Sequence, residues 1–202
     1  MKVELSGLDY RDTYKILVGT IVPRPIAWVS SVDEQGIFNL APFSAFCPVS
    51  MKPAMLGFSV GAGRDGQMKD TLRNIEATKE FVVNMVNESL AEPMNATSAL
   101  FPAEVDEFKE AGLTPVKADL VRAPMVAESS INLECRLNQI LKFGQAPRIN
   151  SFIIGEIILV HIKDELYADG EILSSQLKAI ARLGGDFYCR TTDIFEMKRP
   201  DL

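Results

Sequence analysis

Apolar residues fall in short runs along most of this chain, and most of the runs carry the two-residue period of a β-strand. Ile26–Val32 alternates, the turn Asp33-Glu34-Gln35-Gly36 follows, and Ile37–Phe46 continues, which predicts an antiparallel hairpin. Pro42 and Pro48 bar a regular central strand there and predict an edge, a bulge or an exposed loop. Ala54–Val60 predicts a third strand, Phe81–Val86 a buried one, and Ile131–Leu141 and Phe152–Ile162 two more. Helical period is rarer. Lys69-Asp70-Thr71 opens a helix with its N-cap on Asp70 or Thr71, Leu72, Ile75 and Thr78 along one face, and Glu76 favouring the dipole. Ser89–Leu100 and Ala103–Ala111 predict short helices, the second ended by Gly112. Residues 116–127 read as irregular, Tyr167–Gly170 as a turn, and Leu177–Arg182 as a short helix. About six strands with a helical excursion over 87–127 predict one α+β, mainly β domain spanning 1–202, built on an antiparallel barrel.

Composition narrows the function classes. The chain has 202 residues, 47% of them hydrophobic and 24% charged, as expected of a protein with a sizeable core. A net charge of −6 gives no basic footprint for nucleic acid. Cys47, Cys135 and Cys189 are odd in number and far apart, so no disulfide framework is expected and a cytoplasmic setting follows. His161 is the sole histidine, which excludes a multi-histidine metal site within one chain. The first residues lack the apolar core of a signal peptide, and the longest apolar run, Phe152–Ile162, is too short to cross a membrane.

Candidate chemistry lies in two places. The first strands carry Ser30, Ser31, Asn39, Ser44 and Ser59, whose polar groups need partners, from a bound polar ligand or from neighbouring strands. The loop Gly61–Gly66 matches G-x-G-x-x-G between a strand and a helix, the context of a Rossmann dinucleotide site. Two features oppose that reading: Gln67, Met68 and Lys69 intervene before the helix cap, and strands run uninterrupted on both sides of the unit. A glycine-rich loop feeding a helix start still presents free N–H groups, with Arg64, Lys69 and the Thr71 hydroxyl nearby. This suits a mononucleotide phosphate, and it suits equally a surface loop with an ordinary cap. Elsewhere, Cys47 reads as a buried thiol, Trp28 as core or a subunit contact, His161 as a surface or hydrogen-bonded histidine. Glu104, Asp106, Glu107 and Glu110 read as the solvated face of a helix.

Ordered blocks over nearly the whole length carry a family resemblance: 23–46, 69–75, 81–84, 94–116, 123–129, 133–135 and 182–188. Together they resemble the flavin reductase-like family of FMN-binding split-barrel proteins, the group that includes flavoredoxin. The resemblance implies an antiparallel Greek-key split barrel, a homodimer, and FMN near the subunit interface. It implies that Ser30, Ser31 and the segment Asn39, Ala41, Pro42, Ser44, Ala45 and Phe46 line the flavin, with Pro42 offering only its carbonyl. Lys69, Asp70 and Thr71, with Arg64, would hold the phosphate, and Arg182, Gly184, Gly185 and Tyr188 would lie close by. Many short flavin reductases of this superfamily carry Gly-Asp-His on a late strand, its histidine linked to the nicotinamide donor. Here that strand reads Gly155-Glu156-Ile157. Three functions follow: reduction of flavin, or of a flavin-accessible acceptor, by NADH or NADPH; flavoredoxin-type electron transfer from a partner protein; or flavin binding without redox turnover.

Overall fold

The computed structural model describes residues 1–63 and 66–200. In chain order it forms helix α1 (Tyr10–Thr20), strands β1 (Ala27–Val32), β2 (Phe38–Phe43), β3 (Phe46–Met51) and β4 (Ala54–Val60), helix α2 (Asp70–Thr78) and strand β5 (Glu80–Met85). The excursion holds α3 (Ala91–Ala96), α4 (Glu107–Glu110) and the two-residue strands β6 (Pro115–Val116) and β7 (Met125–Val126). Two long strands follow, β8 (Ile131–Gln145) and β9 (Arg148–Ile162). Short elements close the chain: β10 (Tyr167–Ala168), β11 (Glu171–Ile172), α5 (Ser174–Leu177), β12 (Ile180–Arg182) and β13 (Tyr188–Arg190).

Seven strands form the main sheet in the order β2-β1-β5-β8-β9-β4-β3, every pair antiparallel. This order explains the shape. β2 and β3 are opposite edges of the sheet, yet only Ser44 and Ala45 separate them in the chain. Laid flat, six inter-strand steps would put those edges about 29 Å apart, whereas the connection reaches roughly 10 Å. The sheet must therefore roll up until its edges meet, leaving a seam between β2 and β3. Each seam strand carries a proline, Pro42 or Pro48, and β3 is bulged between Pro48 and Ser50. The antiparallel pairing also excludes the Rossmann reading.

Inside the roll pack Ala27, Val29, Phe43, Leu56, Phe58, Val60, Phe81, Val83, Cys135 and Ile153, closed at one end by Leu72 and Ile75 of α2. Gly155 is required here. A Cβ on it would lie 2.4 and 2.8 Å from ring carbons of Phe81. Ile157 packs against the same core. A second core, Trp28, Leu40, Leu90, Met94 and Phe108 among others, glues the excursion to the outer face of β1 and β2. Trp28 is fully buried there, its indole N–H donating to Thr97 Oγ1 at 2.9 Å.

Several expectations need correction. The run Ile37–Phe46 is two strands, because the chain changes edges at Ser44-Ala45. Leu177–Arg182 is no helix: α5 ends at Leu177, Lys178 takes a left-handed conformation, and Ile180–Arg182 pairs with β13. Cys47 is exposed on edge strand β3, not buried. Glu76 lies in the last turn of α2, where it pairs with Lys142 at 3.3 Å instead of serving the N-terminal dipole. No helix of the described residues is long and apolar enough to cross a membrane.

Candidate functional site

A cavity of about 510 Å³ opens between β2, the loop before α2 and the excursion. It is lined by Asn39, Ala41, Pro42, Gly63, Lys69, Asp70, Thr71, Thr97, Ser98 and Glu107, among others. Its floor is the start of α2. The N-cap of that helix is Lys69, not Asp70 or Thr71, and no side chain caps it. The amides of Asp70, Thr71 and Leu72 have no acceptor among the described residues, so the positive end of the helix faces the cavity. Lys69 is half-buried, its Nζ 5.8 Å from the centre of the Phe43 ring. No described carboxylate lies within 4.0 Å of it, and burial lowers its pKa. Asp70 does not supply the missing anion; its carboxylate pairs with Arg73. A partly desolvated cation beside free amides is a donor set for an anion with several acceptor oxygens, and a phosphate monoester fits it.

The wall is a network fixed by Asn39. Its Oδ1 accepts from Thr71 Oγ1 at 2.8 Å and from Ser31 Oγ at 3.3 Å, and Asn74 Nδ2 donates to Ser31 Oγ at 3.2 Å. On the other side Asn39 Nδ2 donates to Glu107 Oε1 at 2.6 Å, while the Leu40 N–H donates to Glu107 Oε2 at 3.2 Å. Glu107 is thus no solvated acid. It is 6% exposed, the exception in its charged run, and burial raises its pKa against the opposing hydrogen bonds. Sequence reasoning missed it. The signal available was Asp106, which caps α4 by accepting from the Phe108 N–H and so turns Glu107 towards β2.

The predicted site residues divide. Asn39, Ala41, Pro42, Lys69, Asp70 and Thr71 come together around this cavity. Thr71 donates its hydroxyl proton to Asn39, so what it holds towards the cavity is its backbone N–H. Ser30 and Ser31 lie behind the wall, both fully buried, and line no cavity described here. Ser30 donates to Pro124 O at 2.5 Å and accepts from Asn84, so chain groups satisfy it. Ala45 is exposed, its carbonyl taking the Ser59 N–H, and Phe46 packs against the inner core. Arg64 lies outside the described residues. Ser44, Arg182 and Gly185 line a second cavity of about 380 Å³ that meets the first at Pro42 and Ser98. Gly184 packs against α1, where a Cβ would stand 3.2 Å from Gly19 Cα.

Away from both cavities, His161 Nε2 and Glu134 Oε1 lie 2.6 Å apart, and Glu134 also accepts from the Asp119 and Leu120 N–H groups. Burial pushes the Glu134 carboxyl up, but the hydrogen bonds from His161 and the two amides outweigh it and hold the carboxyl low.

Residues 18–176 match the flavin reductase like domain model. An uncharacterised protein of Halalkalibacterium halodurans is 36% identical over 204 residues, covering 100% of this chain and 98% of its own. The crystal structure of nitrilotriacetate monooxygenase component B from Bacillus cereus superposes with TM-score 0.94 at 34% identity, covering 98% of each chain. That of Pseudomonas fluorescens 2-nitrobenzoate 2-nitroreductase NbaA superposes with TM-score 0.90 at 32% identity, covering 99% of this chain and 96% of the other. With its rolled antiparallel sheet and these matches over nearly its whole length, the chain belongs to the flavin reductase-like family and has its split-barrel fold.

Proposed function

We propose that this protein binds FMN in the cavity between β2, α2 and the excursion and serves as a flavin reductase-like oxidoreductase drawing on NADH or NADPH. The observation that carries the reading is Lys69, a partly desolvated cation without a described acid partner, beside the free amides that open α2. Lys69 and the N–H groups of Asp70 and Thr71 would hold the phosphate. Ala41 and Pro42 would flank the rest of the cofactor, leading towards Ser44 and the second cavity. When bound, the flavin supplies the hydride chemistry. The chain's own part is to bind, orient and exclude water.

The test is an anaerobic titration followed by the visible spectrum. The FMN-loaded protein is expected to be yellow and to bleach with NADH or NADPH; no bleaching with either overturns the donor assignment. Lys69→Ala is expected to weaken FMN roughly 10- to 150-fold, the worth of one charged hydrogen bond, and to leave riboflavin nearly untouched. Equal loss for both places the phosphate elsewhere.

A second reading has one observation in its favour. Ile157, packed against the barrel core, offers no histidine to a nicotinamide, which suits a flavoredoxin-type carrier reduced by a partner protein. Fast bleaching by NADPH or NADH alone would remove it. We also propose a homodimer. α1 buries none of its residues, although Tyr10, Tyr14 and Leu17 lie along it, and a second copy would cover them. A monomer at micromolar concentration by sedimentation would overturn this.

A further inference from the structure

One group of side chains lies outside both cavities and takes no part in cofactor binding. Asp119, Glu134 and His161 each offer one ligand atom, and the three atoms lie within 4.8 Å of one another. They come from separate places in the fold: Asp119 from the return leg of the excursion, Glu134 from β8 and His161 from β9. The strands bring the last two together. Glu134 pairs with Leu159 and Asn132 with His161, so Glu134 and His161 are diagonal neighbours on one face, and the register shifts at once beyond, between Glu134 and Cys135. Glu134 is fully buried, yet among the described residues no Lys or Arg nitrogen stands within 4.0 Å of its carboxylate or of that of Asp119. Two carboxylates therefore share one imidazole, and even a protonated ring leaves a negative charge in excess.

The geometry is built to hold these donors. The Asp119 N–H donates to Glu134 Oε1 at 2.9 Å and the Leu120 N–H to Oε2 at 2.7 Å, so the carboxylate cannot turn away. Outer-shell hydrogen bonds orient metal-ligating carboxylates in this way. His161 Nε2 stands 2.6 Å from the same Oε1, a gap that holds a proton. Around a zinc ion with bonds of about 2.0–2.2 Å, neighbouring ligand atoms stand about 3.0–3.5 Å apart. That gap must therefore open by less than about 1 Å, and Asp119 must close in. Asp119 is exposed and its carboxylate has no partner among the described residues, so it is free to do so. We propose that Asp119, Glu134 and His161 bind one divalent cation of the zinc class, which displaces the proton between His161 and Glu134 to solvent and ties the excursion to β8 and β9. An imidazole among the donors favours zinc over magnesium or calcium, which take oxygen ligands. Three protein ligands leave a fourth position for water. The tie falls where the excursion is held by a small core, Ala118, Val121 and Ala123 on Val82.

The experiment is calorimetric titration of the chelator-stripped full chain with zinc, magnesium and calcium chlorides, in a Cys47→Ser background so that the exposed thiol takes no metal. One zinc per chain is expected, with a binding heat that varies with the ionisation enthalpy of the buffer because a proton is released, and a Tm that climbs with zinc concentration. His161→Gln and Asp119→Asn are each expected to weaken zinc at least about tenfold, the least that losing even an outer-shell partner costs a metal site. No saturable zinc binding, or binding unchanged in both variants, overturns the proposal. Zinc lost in His161→Gln but kept in Asp119→Asn marks an adventitious ion on the strands and overturns the tie to the excursion. Magnesium or calcium binding as tight as zinc overturns the zinc-class assignment. Asp119→Asn alters an exposed side chain without a described partner, so the test does not hang on a variant that fails to fold. The site owes nothing to the FMN reading: protein with and without flavin is expected to bind zinc equally, and zinc binding that requires FMN overturns its independence.

Discussion

Replacing Glu107 with glutamine probes the buried network that ties the excursion to β2. The carboxylate accepts from two donors at once, Asn39 Nδ2 and the Leu40 N–H. Glutamine has one acceptor oxygen, so its amide nitrogen must face one of those donors. The loss is one hydrogen bond to a charged group, about 1.5–3 kcal/mol, partly offset because glutamine has no charge to bury. A net cost of about 1–2 kcal/mol lowers Tm by roughly 2–8 °C in a domain of this size. Scanning calorimetry of the flavin-free protein at pH 7 measures it. The pH dependence supplies a second check. Glu107 has a raised folded-state pKa, so its contribution is fully present below its ordinary value of 4.5 and is lost as pH rises through the folded value. The advantage of wild type over Glu107→Gln should therefore grow as pH falls from 7 towards 4.5. An unchanged or higher Tm in the variant, or an advantage that shrinks over that range, would refute the network as described.

Three further outcomes follow from the same structure. Lys69→Met should leave the flavin-free protein at least as stable as wild type, since it removes a partly desolvated cation with no described acid partner; a marked fall in Tm would show that Lys69 serves the fold. Gly155→Ala should cost about 1–3 kcal/mol by forcing the Phe81 ring aside, and a neutral result in urea unfolding would contradict the packing. His161→Ala removes the leading hydrogen bond that depresses Glu134, whose contribution is present above its ordinary value of 4.5 and lost as pH falls through the folded value. The destabilisation should be seen at pH 7 and shrink in acid below about 4.5; a deficit that grows there sinks the assignment.

Most strands of the main sheet were legible because they carry their own period and punctuation. The turn at Asp33–Gly36 sits where expected, Ala54–Val60 matches residue for residue, and the two prolines fall on sheet edges. What local pattern could not show was the edge change at Ser44-Ala45, because nothing in an alternating run says which neighbour it will pair with. Ile180–Arg182 becomes a strand for the same reason: its partner, Tyr188–Arg190, is supplied by the fold. The start of α2 close to Lys69 and Thr71 was legible from glycine, lysine and threonine in sequence, though the cap falls on Lys69. Glu107 was not, because its burial depends on Asn39, 68 residues away in the chain. Ser30 and Ser31 illustrate the converse: strand hydroxyls that could have faced a ligand are consumed by Pro124, Asn84, Asn39 and Asn74.

The two-residue step at Ser44-Ala45 leaves no slack. The strands it joins are bound to opposite sheet neighbours, β1 and β4, and each has an imino acid where a ladder would want a donor. Each proline removes one ladder donor from its edge, and the tether keeps the two edges together at that end. At that corner the chain itself ties the two rims together, so their spacing there is set by two residues of backbone before any guest arrives.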